Sequence, residues 1–141
     1  MEWRLSQVCI VVKNMDKAIE YYSSVFGFGP FHKMKLPQLR VEVRGELRTL
    51  DVSLALARLG DLWLELIQAN RGENIYWEFF HKHGEGLHHI GFDVSNIEVE
   101  LSRAREKGVE VLMSGKVGKV SFAYLDSTQR GGVIMELIQR I

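Results

Sequence analysis

The sequence predicts an α+β fold made of two β-α-β-β-β modules. Two observations support this prediction. The order strand, helix and three further strands is indicated twice along the 141 residues. The tetrapeptide ELIQ occurs at 65–68 and again at 136–139, and each copy follows an apolar run typical of a buried strand. Self-similarity of this kind indicates a repeated structural unit, so we expect the two halves to fold alike.

The first module covers about residues 5–70. A β-branched apolar run, QVCIVV, predicts a strand at 7–12. Asn14 is a typical helix cap, apolar residues at helical spacing follow it, and Gly27 ends the run, so a helix is expected between the two. Extended segments come next, the last two joined by a tight turn, at 39–43, 50–58 and 62–68.

A connecting helix over about 74–84 is predicted between the modules, with Asn74 as its cap and a glycine at its end. The second module covers about residues 87–141. It restarts with a strand at 87–94 and a helix after Asn96. The remaining strands and a polar turn are expected at 109–113, 119–125, 126–132 (the turn) and 133–139.

Composition excludes several classes of function. Eighteen basic residues balance eighteen acidic ones, so no overall field attracts nucleic acid. No apolar run is long enough to cross a bilayer, and the N-terminus lacks the hydrophobic segment of a signal peptide. Cys9 is the single cysteine, which excludes an intramolecular disulfide and predicts a buried, inert thiol. We expect residues 1–141 to form one cytoplasmic domain.

Polar residues fall at matched strand positions when the halves are overlaid. Gln7 falls on His89 in the first strands, and Glu65 falls on Glu136 in the last. Each glutamate has apolar neighbours on its strand face, where a carboxylate is costly unless it is paired, protonated or bound to a metal. If the modules pack side by side, the four residues form an oxygen and nitrogen site without thiolate, suited to Zn²⁺, Co²⁺, Ni²⁺, Mn²⁺ or Fe²⁺. Edge-exposed or salt-bridged glutamates and a core histidine are the alternative interpretation.

The sequence resembles the vicinal oxygen chelate superfamily of glyoxalases, bleomycin-resistance proteins and extradiol dioxygenases. The resemblance covers nearly the whole chain and depends most on VVKNMDKAIEYYSSVFGF, GEGLHHIGFDV and GGVIMELI. It implies a curved eight-stranded sheet around a metal cavity. It also implies a homodimer, and it places the metal ligands of the family at Gln7, Glu65, His89 and Glu136.

Methylmalonyl-CoA epimerase-like and glyoxalase-like proteins are the branches that the sequence resembles most. The resemblance implies an enzyme that abstracts an α-proton and passes through a metal-stabilised enolate. Glu136 is the implied acid or base, and Glu65 is the second catalytic candidate. We expect an epimerase that acts on an acyl-CoA. A lactoylglutathione lyase acting on a thiol adduct, similar to glyoxalase I, is the alternative, and a non-catalytic antibiotic-binding protein is a further one.

Two departures from these branches affect the expected substrate. The second glutamate of the epimerases would fall near residues 53–54, a serine and a leucine, and neither can act as the base. Asp51 or Glu46 could serve only if the strand register shifts. Neither glutathione-holding position of glyoxalase I is matched. The basic cluster at 32–40 (HKMKLPQLR) either meets the phosphates of a coenzyme A or is a solvated charged surface.

Overall fold

Eight strands and three α-helices are present in the computed structural model, which describes residues 2–130 and 132–140. The first half contains β1 (Arg4–Val11), α1 (Met15–Phe26), β2 (His32–Val43), β3 (Glu46–Leu59) and β4 (Leu62–Arg71). Helix α2 (Ile75–His83) follows. The second half contains β5 (Gly86–Asp93), α3 (Ile97–Glu106), β6 (Val111–Val117), β7 (Val120–Leu125), a 3₁₀ turn (Thr128–Arg130) and β8 (Ile134–Gln139). The predicted α+β class with two β-α-β-β-β modules is confirmed.

The chain divides into two compact units. The N-terminal unit comprises residues 7–39 and 50–88, and the C-terminal unit comprises residues 2–6, 40–49 and the described residues from 89 onward. The long β2–β3 hairpin contributes to both, because its tip belongs to the C-terminal unit.

The N-terminal unit is built on a parallel pair, β1 with β4, and an antiparallel pair, β4 with β3. Helix α1 covers one face of these strands and begins where the Asn14 side chain accepts a hydrogen bond from the Lys17 amide at 2.9 Å. It ends at Gly27, whose φ of 73° suits a residue without a side chain. The buried residues between helix and strands are Val12, Met15, Ala55, Leu64 and Leu66.

The C-terminal unit repeats this plan. Strand β5 pairs in parallel with β8, and β8, β7, β6 and the end of β2 follow as antiparallel neighbours. Helix α3 covers one face, capped by Asn96 as predicted. The buried residues between this helix and the strands are Val94, Ile97, Leu101, Ala123, Leu125 and Leu137.

The strand register confirms the overlay of the two halves. Gln7 pairs with Trp63, two residues before Glu65. His89 pairs with Ile134, which is likewise two residues before Glu136. In both parallel pairs the glutamate is therefore offset by the same two residues from the polar residue of the neighbouring strand.

Strand β2 differs from its expected bounds of 39–43. It begins seven residues earlier and includes the whole basic cluster at 32–40. Most of β2 is exposed, so its sequence contains charged residues and Pro37 and lacks the apolar alternation that predicts a strand. Strand β6 also extends beyond its predicted end, to Val117. Gly131, in the predicted turn at 126–132, lies outside the described residues. Among the described residues, none of the helices is long and apolar enough to cross a membrane.

Candidate metal centre

Gln7 and Glu65 lie on the face of the N-terminal unit that points away from α1. In the β1–β4 register Gln7 is opposite Trp63, and Cys9 is opposite Glu65. Because paired residues point to the same side of a sheet, all of these side chains share one face. The exposed fractions of Gln7 and Glu65 are 6% and 8%. Two polar side chains are thus buried on the same face of adjacent strands, and Glu65 lies two residues beyond the partner of Gln7.

The third strand of this unit offers no base next to Glu65. Leu56 is the partner of Glu65 on β3, and Leu54 occupies the next position on the same face. The register does shift, as an irregularity between Asp51 and Val52. Asp51 nevertheless stands five positions from Leu56, which corresponds to about 16 Å along the strand. Asp51 therefore does not lie near Glu65, and Glu46 belongs to the C-terminal unit.

His89 and Glu136 are in direct contact in the C-terminal unit. The Nε2 atom of His89 lies 3.2 Å from Oε1 of Glu136. The imidazole is fully buried and Glu136 is 6% exposed. Tyr124 pairs with Glu136 across β7 and β8, and its ring centroid lies 4.6 Å from that of His89. Tyr124 therefore packs on the imidazole and restricts its orientation.

His88 belongs to a different environment. Its ring lies 5.1 Å from that of Tyr76 and 5.0 Å, edge to face, from that of Phe79. These contacts are aromatic packing against α2. His89, not His88, is therefore the histidine beside Glu136, as the sequence predicts.

The predicted donor set fits a divalent ion chemically. It consists of one imidazole, two carboxylates and one amide oxygen, and each residue is at least nine-tenths buried. Buried carboxylates require a compensating positive charge, because an isolated charge is costly away from water. Nitrogen and oxygen donors in this ratio suit divalent ions such as Zn²⁺, Co²⁺, Ni²⁺, Mn²⁺ and Fe²⁺.

A cavity of about 730 Å³ lies in the N-terminal unit, beside the start of α1. Lys33 and Lys35 of the basic cluster line it, together with polar residues of β3 and β4. Lys33 contacts Asp16 at 2.8 Å, which partly neutralises its charge. Sequence reasoning missed this cavity because its lining comes from four segments that are distant in the sequence.

Comparison with known proteins identifies the family. The sequence model of the Glyoxalase/Bleomycin resistance protein/Dioxygenase superfamily matches residues 6–124. The chain belongs to this superfamily. Within it, the Bos taurus protein named mitochondrial methylmalonyl-CoA epimerase is 27% identical over 140 residues, covering 96% of this chain and 74% of the relative.

Solved structures of the superfamily have the same fold. A methylmalonyl-CoA epimerase in complex with methylmalonyl-CoA and NH₄⁺ matches with a TM-score of 0.78 and 24% identity, over 99% of this chain and 96% of that one. A variant of the Streptomyces coelicolor methylmalonyl-CoA epimerase in complex with 2-nitronate-propionyl-CoA matches with a TM-score of 0.76 and 26% identity, over 97% and 94% of the two chains. The predicted family and fold are confirmed.

Proposed function

We propose that this chain is a divalent-metal-dependent epimerase that abstracts the α-proton of an acyl-CoA, in the manner of methylmalonyl-CoA epimerase. The observation that supports the proposal most is the buried contact of His89 with Glu136 at 3.2 Å. It places a carboxylate beside an imidazole in a dry environment, within a fold whose named relatives are epimerases. A carboxylate in such a setting is well suited to proton transfer.

We propose further that Gln7, Glu65, His89 and Glu136 are the ligands of one divalent ion. The equivalent registers of β1–β4 and β5–β8 support this assignment, since each unit presents two donors at the same relative height. When bound, the ion supplies a Lewis acid that stabilises negative charge on the carbonyl oxygen of the substrate.

Glu136 is proposed to move the α-proton, with His89 holding its carboxylate in place. Epimerisation also needs a group that returns a proton to the opposite side of the carbon. Glu65 is proposed for that role, because Leu54 and Leu56 leave no other ionisable side chain on the β3 part of its face.

The substrate is proposed to be an acyl-CoA because the named relatives act on or bind such compounds. Lys33 and Lys35 add positive charge that suits the phosphates of a coenzyme A. A lactoylglutathione lyase is the second candidate, since the set of Gln7, two glutamates and a histidine resembles that of glyoxalase I. A single domain, a homodimer and a cytoplasmic location remain predictions.

Two measurements test the proposal. Metal analysis of protein purified without added metal is expected to find one divalent ion per chain, which a His89→Ala variant loses. Incubation with methylmalonyl-CoA in D₂O is then expected to introduce deuterium at the α-carbon, without isomerisation of a glutathione hemithioacetal. Protein that contains no divalent ion and has no affinity for one on titration would contradict the enzymatic proposal.

A further inference from the structure

Cys9 lies beside Glu65 on the buried face that also carries Gln7. The two residues are direct partners in the parallel β1–β4 register. The Sγ atom of Cys9 and a carboxylate oxygen of Glu65 lie within 4.8 Å of each other. An ion bound to both needs a sulfur–oxygen separation of up to about 4.5 Å, because zinc bonds are about 2.3 Å to sulfur and 2.0–2.2 Å to oxygen. The pair is therefore close to the geometry that a shared ion requires.

The residue that pairs with the glutamate differs between the two halves of the chain. At the matched position of the second half stands Gly91, which pairs with Glu136 as Cys9 pairs with Glu65. The second half thus has a parallel pair of the same register with no side chain at this point. A buried cysteine usually behaves as a small apolar residue. Cys9 instead has the buried polar side chains of Gln7 and Glu65 as neighbours on its own face.

We propose that Cys9 is a sulfur ligand of the divalent ion, next to Glu65. The proposal rests on the proposed function, because it requires that Glu65 binds the ion. It replaces the sequence-based expectation of an inert thiol and a site without thiolate. On binding, a sulfur–metal bond forms and the thiol proton passes to solvent.

A sulfur ligand has two consequences for the site. A thiolate is a soft donor, so it favours Zn²⁺ and Co²⁺ over Mn²⁺, which prefers oxygen. It would also supply a negative charge next to Glu65 that does not depend on the protonation of that carboxylate. Cys9 would thereby allow Glu65 to alternate between ligand and base.

Cobalt spectroscopy of the full chain tests the proposal directly. The metal-free protein is titrated with Co²⁺, and the visible d–d bands are recorded together with the near-ultraviolet sulfur-to-cobalt charge-transfer band. Because Cys9 is the single cysteine of the chain, any such band belongs to it. We expect the band in the native protein and its loss in Cys9→Ser and Cys9→Ala, with the d–d bands retained.

Competition binding provides a second readout. Cys9→Ser is expected to weaken Zn²⁺ binding at least about tenfold and to change Mn²⁺ binding much less, since only the soft ion depends on sulfur. X-ray absorption of the zinc-loaded native protein is expected to contain a zinc–sulfur distance of about 2.3 Å and needs no variant.

The outcomes separate this proposal from the proposed function. Cobalt that binds with d–d bands but without a charge-transfer band, or zinc without a sulfur neighbour, would overturn the role of Cys9 alone. A protein that binds neither ion would overturn both proposals.

Discussion

The side chain of Gln68 accepts a hydrogen bond from the backbone amide of Met15, with 2.6 Å between Oε1 and N. The second half repeats this contact, because Oε1 of Gln139 accepts from the amide of Ile97 at 2.8 Å. Met15 and Ile97 are the first residues of α1 and α3, and such amides have no partner inside their helix. In both copies of ELIQ the final glutamine thus completes the helix cap, while the glutamate points to the opposite face.

Removal of either glutamine is expected to lower the free energy of unfolding. Gln68→Ala and Gln139→Ala should each cost about 1 kcal/mol, the usual effect of losing one hydrogen bond to a partly buried donor. Gln68→Ala should cost more, since its Nε2 also donates to Asn70 at 2.9 Å. Urea unfolding followed by circular dichroism measures both.

The matched controls are Gln68→Glu and Gln139→Glu, which keep an acceptor oxygen and place negative charge at a helix N-terminus. They should be more stable than the alanine variants. Equal stability of the alanine and glutamate variants would show that the hydrogen bond contributes nothing.

Substitution of the two proposed acid–base residues should stop epimerisation in different ways. If protons move on both sides of the α-carbon, Glu136→Gln and Glu65→Gln should each reduce interconversion roughly 10²–10⁴-fold while each still exchanges the α-proton of one epimer. Deuterium exchange of each pure epimer, followed by NMR, separates these activities. Glu46→Gln, on the exposed β3 end, is the control and should retain full activity. Normal interconversion by Glu65→Gln would eliminate the two-base scheme.

Gly115 on β6 is a position where added bulk should destabilise the C-terminal unit. A Cβ there would lie 3.0 Å from Cζ of Phe122 and 3.0 Å from Cγ1 of Val41, both buried. Gly115→Ala should therefore lower the free energy of unfolding by about 1–3 kcal/mol, as overpacking usually does. Denaturant unfolding checks the value.

A double-mutant cycle tests the cause of this effect. Val41→Ala removes the methyl group that a Cβ at position 115 would crowd, so the double variant should be more stable than the sum of the single effects predicts. Additive effects would mean that Gly115 and Val41 do not compete for space.

The exposed pair of Asp16 and Lys33 should contribute to the pH dependence of the free energy of unfolding. The hydrogen bond from Lys33, followed by its charge, holds the pKa of Asp16 below the ordinary aspartate value. Because the folded pKa is the lower one, the stabilisation is present above the ordinary value. It is lost as the pH falls through the folded pKa.

Carboxyl titration by NMR checks this assignment. Lys33→Met should raise the pKa of Asp16 toward its ordinary value, whereas Lys35→Met should raise it less, since Lys35 is the weaker influence. An unchanged pKa of Asp16 in Lys33→Met would exclude the pair as the cause.

The elements with strong local signals were predictable from the sequence. Asn14, Asn74 and Asn96 each cap the helix that was expected after them, because a cap depends on a few adjacent residues. Strand β2 was only partly predicted, because its pairing with neighbouring strands overrides a charged, proline-containing sequence. The glutamine contacts were also missed, since each joins residues more than forty positions apart.

The sequence by itself determined the repeated module and the family. It also determined that Gln7 and His89, and likewise Glu65 and Glu136, occupy equivalent positions in the two halves. These follow from patterns that local spacing and self-similarity preserve. Only the tertiary structure decided which groups face which. Strand register set His89 against Glu136, left leucines beside Glu65 and placed Cys9 next to that carboxylate. Register depends on contacts between distant strands, and a one-residue slip reverses every face, so local sequence cannot specify it.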